Sequence, residues 1–189
     1  MNRLLLSLVT IFLIAGCTDY TMQSGRAQDK VEPLVVEGDA YDMRFLLYEH
    51  RELGLSTYVP EGLIVEFDEK GMTFYAKELS GKKFDRTQFR IFQGGETTEQ
   101  TEELIVNHFR ERNVKTERVD PEHFTFSFSL SEQIISLDSE NLSLFGGGAV
   151  FKRENRFYGF IYHYTGEMGD LFHPVVMKAV DELEWMISS

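Results

Sequence analysis

The chain has one cysteine in 189 residues, so its folded part cannot rest on an internal disulfide. It contains no H-E-x-x-H metal motif and no G-x-S-x-G nucleophile elbow. Basic residues are scarce: 19 Lys and Arg face 31 Asp and Glu, a formal net charge of −12. Such a surface repels phosphate backbones and opposes flat adsorption onto anionic lipid heads. Nucleic acid is therefore not expected as a partner. No apolar run approaches the roughly 20 residues of a membrane-spanning helix. The longest, Leu4 to Ala15, is interrupted by Ser7 and Thr10 and closed by the polar Thr18-Asp19 pair. The five histidines, at 50, 108, 123, 163 and 173, show no i, i+4 pairing. Glu49-His50 and Glu122-His123 are adjacent, so on strands they would point to opposite faces. A metal site built from His163 with His173 or a carboxylate is the alternative to surface or core-edge histidines. No cofactor is expected.

The N-terminal segment reads as a leader. Arg3 precedes the apolar stretch, whose length suits a secretory signal of about 7–15 apolar residues. Slim residues, Ala15 and Gly16, stand just before Cys17. Ile14-Ala15-Gly16-Cys17 resembles the lipobox of bacterial lipoproteins. The resemblance implies that the Cys17 thiol carries a diacylglyceryl group, that the chain is cut before Cys17, and that the new amino terminus is often acylated. Each buried methylene contributes about 0.8 kcal/mol, so two or three acyl chains anchor where one would not. Residues 1–16 are thus read as a signal peptide, and 17–34 as a lipidated flexible tether. Loss of Arg3 leaves 18 basic against 31 acidic residues, about −13 for the mature part.

Residues 35–189 read as a single domain. Sixteen phenylalanines favour a packed sheet over disorder. "MRFLLYEH" and "GLSTYVP" read as strands, with Pro60-Glu61-Gly62 as a turn. Leu63, Val65 and Phe67 alternate, Glu69-Lys70-Gly71 turns, and Met72, Phe74 and Ala76 alternate again, which is a hairpin. "FDRTQFRIFQG" gives another strand, with Phe89 and Ile91 on one side.

Thr97 and Gln100 have capping-box spacing, so a helix is expected from Thr98 to Arg112, buried along Leu104, Ile105, His108 and Phe109. "HFTFSFSLS" alternates strictly and predicts a strand; Gln133 to Asn141 predicts a loop. "LSLFGGGAVFKRENRFYGFIYHYTG" predicts two strands around "KREN". Tyr158, Phe160, Tyr162 and Tyr164 share one face, and packing beneath the last helix is favoured over ligand stacking. The three glycines read as a strand bend, since no Lys-Ser/Thr follows them. A final helix, capped by Asp170 with Pro174 in its first turn, is expected to end near Ser188.

The expected fold class is α+β, a central antiparallel sheet flanked by helices. The segments "STYVPEG", "FRIFQGGETTEQTEELI" and "FYGFIYHYTGEMGDLFHPVVMKAVDELEW" together resemble the PsbP-like α/β/α sandwich over about residues 40–187. That family consists mostly of accessory or binding modules without a shared chemistry, so no active-site residues carry over. The expectation is a noncatalytic, lipid-anchored envelope protein, an accessory or binding module for an envelope partner. The alternative is an envelope hydrolase, or a carrier of a small ligand or metal. Thr18 after the cysteine lacks the aspartate of inner-membrane retention, implying the periplasmic side of the outer membrane in a Gram-negative cell. In a monoderm the outer face of the plasma membrane is implied.

Overall fold

The computed structural model describes residues 25–139 and 142–186. The segment read as a leader, Cys17 and residues 18–24 of the segment read as a tether lie outside the described residues. Eleven strands form two antiparallel sheets among these residues. Strands β1 (Asp29–Val36), β2 (Asp39–His50), β3 (Leu55–Pro60) and β11 (Glu184–Trp185) make a four-stranded sheet in the order β1-β2-β3-β11. The central sheet has seven strands: β4 (Ile64–Asp68), β5 (Gly71–Lys77), β6 (Lys83–Gln93), β7 (Glu117–Arg118), β8 (Ser131–Ser139), β9 (Leu142–Arg153) and β10 (Arg156–Thr165). Their order is β4-β5-β6-β10-β9-β8-β7. Helices α1 (Thr98–Arg110) and α2 (Gly169–Asp181) complete the α+β architecture.

The two faces of β10 explain the layering. Tyr158, Phe160 and Tyr162 enter a core shared with Phe74 and Phe89 of the sheet, Phe172 and Val176 of α2, and Phe45 and Val59 of the smaller sheet. The tyrosine row is therefore packing, as its alternation suggested. Ile161 on the opposite face joins Val150, Phe92, and Ile105 and Phe109 of α1. The glycines of β9 let α1 approach. A Cβ on Gly148 would stand 2.5 Å from Ile105 Cγ2 and 2.9 Å from the Phe160 carbonyl oxygen. They form neither a loop nor a helix start.

Helix α1 begins as its capping signal requires. Thr97 Oγ1 accepts from Gln100 N at 3.2 Å, and Gln100 Oε1 accepts from Glu96 N at 2.8 Å. Its buried line is Thr101, Ile105 and Phe109, while Leu104 is exposed. Glu102 fixes α1 to β8, accepting from Ser131 Oγ at 2.9 Å and Gln133 Nε2 at 2.7 Å.

Five local expectations are corrected. Residues 124–130 ("FTFSFSL") form no strand. Glu132, only 3 % exposed, captures their donors: its carboxylate accepts from Thr125 N, Phe126 N and Ser129 Oγ at 2.7–2.8 Å. A side chain thus satisfies N–H groups that a sheet ladder would have used. Much of the segment read as a loop is instead β8, whose polar Ser131, Glu132 and Gln133 are buried because each is hydrogen-bonded.

Helix α2 stops at Asp181, not near Ser188; Asp170 lies in its first turn and does not cap it, and Pro174 lies further inside. Glu184 and Trp185 pair instead with Ser56 and Leu55 of β3. The stretch from Asp29 to Leu34, read as tether, is strand. Arg26 and Lys30 both reach Glu182 at 2.8 Å, and Lys178 reaches it at 3.0 Å. Burial pushes the Glu182 carboxyl up, but hydrogen bonds from Lys30 and Lys178 outweigh it and hold the group below its usual range.

Candidate functional site

A groove of about 480 Å³ opens where three chain segments meet. The Glu132-held turn brings Thr125, Ser127 and Phe128; the end of β9 brings Phe151 and Arg153; the chain after α2 brings Trp185. Each is placed by a feature already described. Phe126 anchors the turn in the core, stacking edge-on against Phe160 at 5.6 Å. Phe128 remains 44 % exposed, with its ring 5.4 Å from Phe151. The short pairing of β11 with β3 sets Trp185 at 4.6 Å from Tyr158 and 6.3 Å from Phe151. The Arg153 guanidinium lies 5.5 Å from the indole centroid. The site therefore offers flat aromatic surface, hydroxyls on its rim and a guanidinium over an indole. Such a surface stacks and hydrogen-bonds; it can hold an apolar group beside an acceptor.

The histidines distribute otherwise. His50 is held internally: its Nε2 lies 2.7 Å from the Asp68 carbonyl oxygen, and its Nδ1 accepts from Leu53 N at 3.3 Å. His123 sits in an exposed turn. His173 lies beside Tyr162 and Tyr164, with ring centroids at 6.2 and 5.9 Å. His163 does not meet His173. It faces His108 of α1 instead, at 5.4 Å between centroids, with its Nδ1 at 3.0 Å from the Arg86 carbonyl oxygen. Neither Nε2 of this pair has a hydrogen-bond partner among the described residues. Burial lowers His108 to about 3, helped by the nearby Arg112, His163 and Arg90 charges. Burial also lowers His163 to about 4, against the opposing Arg86 hydrogen bond. Both rings are neutral packing elements at neutral pH. Tyr162, driven up to about 12 by burial, is likewise a buried phenol.

Among the described residues no group of three or more His, Cys, Asp or Glu could hold a metal ion. No described helix is long and apolar enough to cross a membrane. Cys17, the one site residue named from sequence, lies outside the described residues.

The groove residues were not singled out from sequence. Two signals pointed to them: the single tryptophan, and the unusual Phe-x-Phe-x-Phe run, whose last member did not need to be inside.

No family model and no curated protein sequence matches the chain. Among solved structures, the chain is similar to the solution structure of cyanobacterial PsbP (CyanoP) from Synechocystis sp. PCC 6803. The TM-score is 0.48 at 10 % identity, covering 75 % of this chain and 92 % of that one. The α+β class rests on the strand order and helix placement of the chain itself.

Proposed function

We propose that this protein is a noncatalytic binding module of the bacterial envelope, lipid-anchored at Cys17, which holds a partner in the Phe128–Trp185 groove. The observation that carries the binding half is an exposed aromatic ring, Phe128, fixed against Phe151 beside Trp185 and Arg153. Exposed aromatics next to an arginine are the residue types that dominate binding energy at interfaces. The anchoring half is supported by Ile14-Ala15-Gly16-Cys17 after a leader of the right length. An acidic body of about −13 would be held off anionic lipid heads, leaving the groove free for a neighbour.

The anchor is tested by Cys17→Ser. The parent chain should incorporate labelled palmitate and sediment with membranes, and the variant should do neither. A variant that still sediments, cut at the same point, removes the anchor. The binding half is tested by lysine-directed crosslinking in the native envelope followed by mass spectrometry. A recurrent protein neighbour is expected; turnover of an envelope substrate by purified protein without any neighbour would instead favour the hydrolase.

A further inference from the structure

The groove lining holds two bases, Lys152 and Arg153, against one acid, Asp181, the reverse of the balance over the whole chain. Acids outnumber bases 31 to 19, and Arg26, Arg44, Arg90 and Arg118 each pair with a carboxylate. Arg153, like Arg51, Arg86, Arg110, Arg112 and Arg156, has no ion pair among the described residues; its guanidinium lies over the Trp185 ring, and its charge also reaches the Tyr158 phenol. Lys152 also lines the groove but lies over Phe157 at 5.0 Å, so it adds field more than contact. Asp181 is the acidic member of the lining. The local balance is one positive charge beside aromatic surface, on an otherwise negative protein.

We propose that the groove takes an apolar peptide segment bearing a single carboxylate. An aromatic or branched aliphatic side chain would lie on Phe128, Phe151 and Trp185, and the carboxylate would meet Arg153. The inference rests on the binding-module reading above and names the chemistry of the partner. A guanidinium is planar and donates in pairs, so it matches a carboxylate better than any neutral acceptor. Its position over an indole holds the exposed guanidinium in a fixed orientation beside the aromatic surface. Asp181 selects against a polyanion, since a second negative charge would meet it. A peptide is favoured over a free small molecule because the Phe128 wall is 44 % exposed. Small-molecule sites commonly bury 70–90 % of their ligand, whereas a partner's chain brings its own cover.

Trp185 is the only tryptophan, so its fluorescence reports the groove directly. Three pentapeptides with blocked amino termini serve as probes, the first two amidated at the carboxyl end. One has an aspartate flanked by phenylalanine and leucine; the second has asparagine in its place; the third has the asparagine with a free terminal carboxylate. The aspartate or the free-terminus peptide should bind about tenfold more tightly than the neutral one, and which of the two does so identifies the source of the carboxylate. In Arg153→Gln the three affinities should converge to within about twofold. In Phe128→Ala all should weaken. Both positions are exposed, so neither change threatens the fold. Equal affinity for charged and neutral peptides in the parent chain, or a preference that survives Arg153→Gln, overturns the proposal. If the peptides bind equally and Phe128→Ala weakens them, the carboxylate falls while groove binding stands. If none changes the Trp185 signal, both fall.

Discussion

Acidification should destabilise this protein through two histidines that the fold keeps uncharged. His163 is fully buried on β10, and His108 of α1 packs on it. The charges that act on the pair, Arg112 on both rings and Arg90 on His108, are positive and oppose a further proton. The folded values of about 3 for His108 and about 4 for His163 lie below the ordinary 6.5. Above pH 6.5 both rings are neutral folded and unfolded, so they cost nothing. Below it the unfolded chain binds protons that the folded chain refuses, and stability falls by about 1.4 kcal/mol per pH unit per ring. The loss continues until the folded values are reached. At pH 5 each ring accounts for about 2 kcal/mol, and the interacting pair for about 2–4.

The double variant His108→Gln with His163→Asn removes the titration; the asparagine amide can keep the donor to Arg86. Urea unfolding followed by Trp185 fluorescence at pH 8 and pH 5 gives the comparison. Carboxylates contribute to both chains and cancel. The parent should lose about 2–4 kcal/mol more than the variant over this interval. Equal losses would refute the claim that the pair is held neutral.

Further outcomes follow from single contacts. Glu132→Ala leaves three donors of the 125–129 turn without their acceptor and should cost about 3 kcal/mol in urea unfolding. Gly148→Ala drives a methyl into Ile105 and the Phe160 carbonyl and should cost about 1–3 kcal/mol, read as a lowered thermal midpoint. Glu182→Gln weakens the clamp of Arg26, Lys30 and Lys178, so amide exchange should speed up in β1 ahead of the central sheet.

Where pattern and burial agreed, the sequence was legible. The β4–β5 hairpin, the α1 cap and the two-faced β10 follow from alternation and capping chemistry that the tertiary structure leaves in place. The misreadings at 124–130, in β8 and in β1 share a cause: a polar side-chain partner, near in sequence for Glu132 and distant for Glu102 and Glu182, overrode a local pattern. Strict alternation at 124–130 was defeated by the Glu132 carboxylate, which could be recognised as an acceptor only once β8 was in place. Conversely, Ser131 and Gln133 look solvent-bound until Glu102 arrives from α1. The start of β1 is hidden in the same way, because its charges are matched by Glu182, more than 150 residues away in sequence. The groove needed three distant segments at once, so none of its residues was singled out in advance.

A photoreactive residue placed at position 128 or at position 79 in the native envelope tests the central claim most directly. Leu79 is fully exposed and lies outside the groove lining. The account predicts one discrete adduct from position 128, diminished by Arg153→Gln, and none from position 79. The same adducts from both positions, or an adduct at 128 indifferent to Arg153, would contradict it.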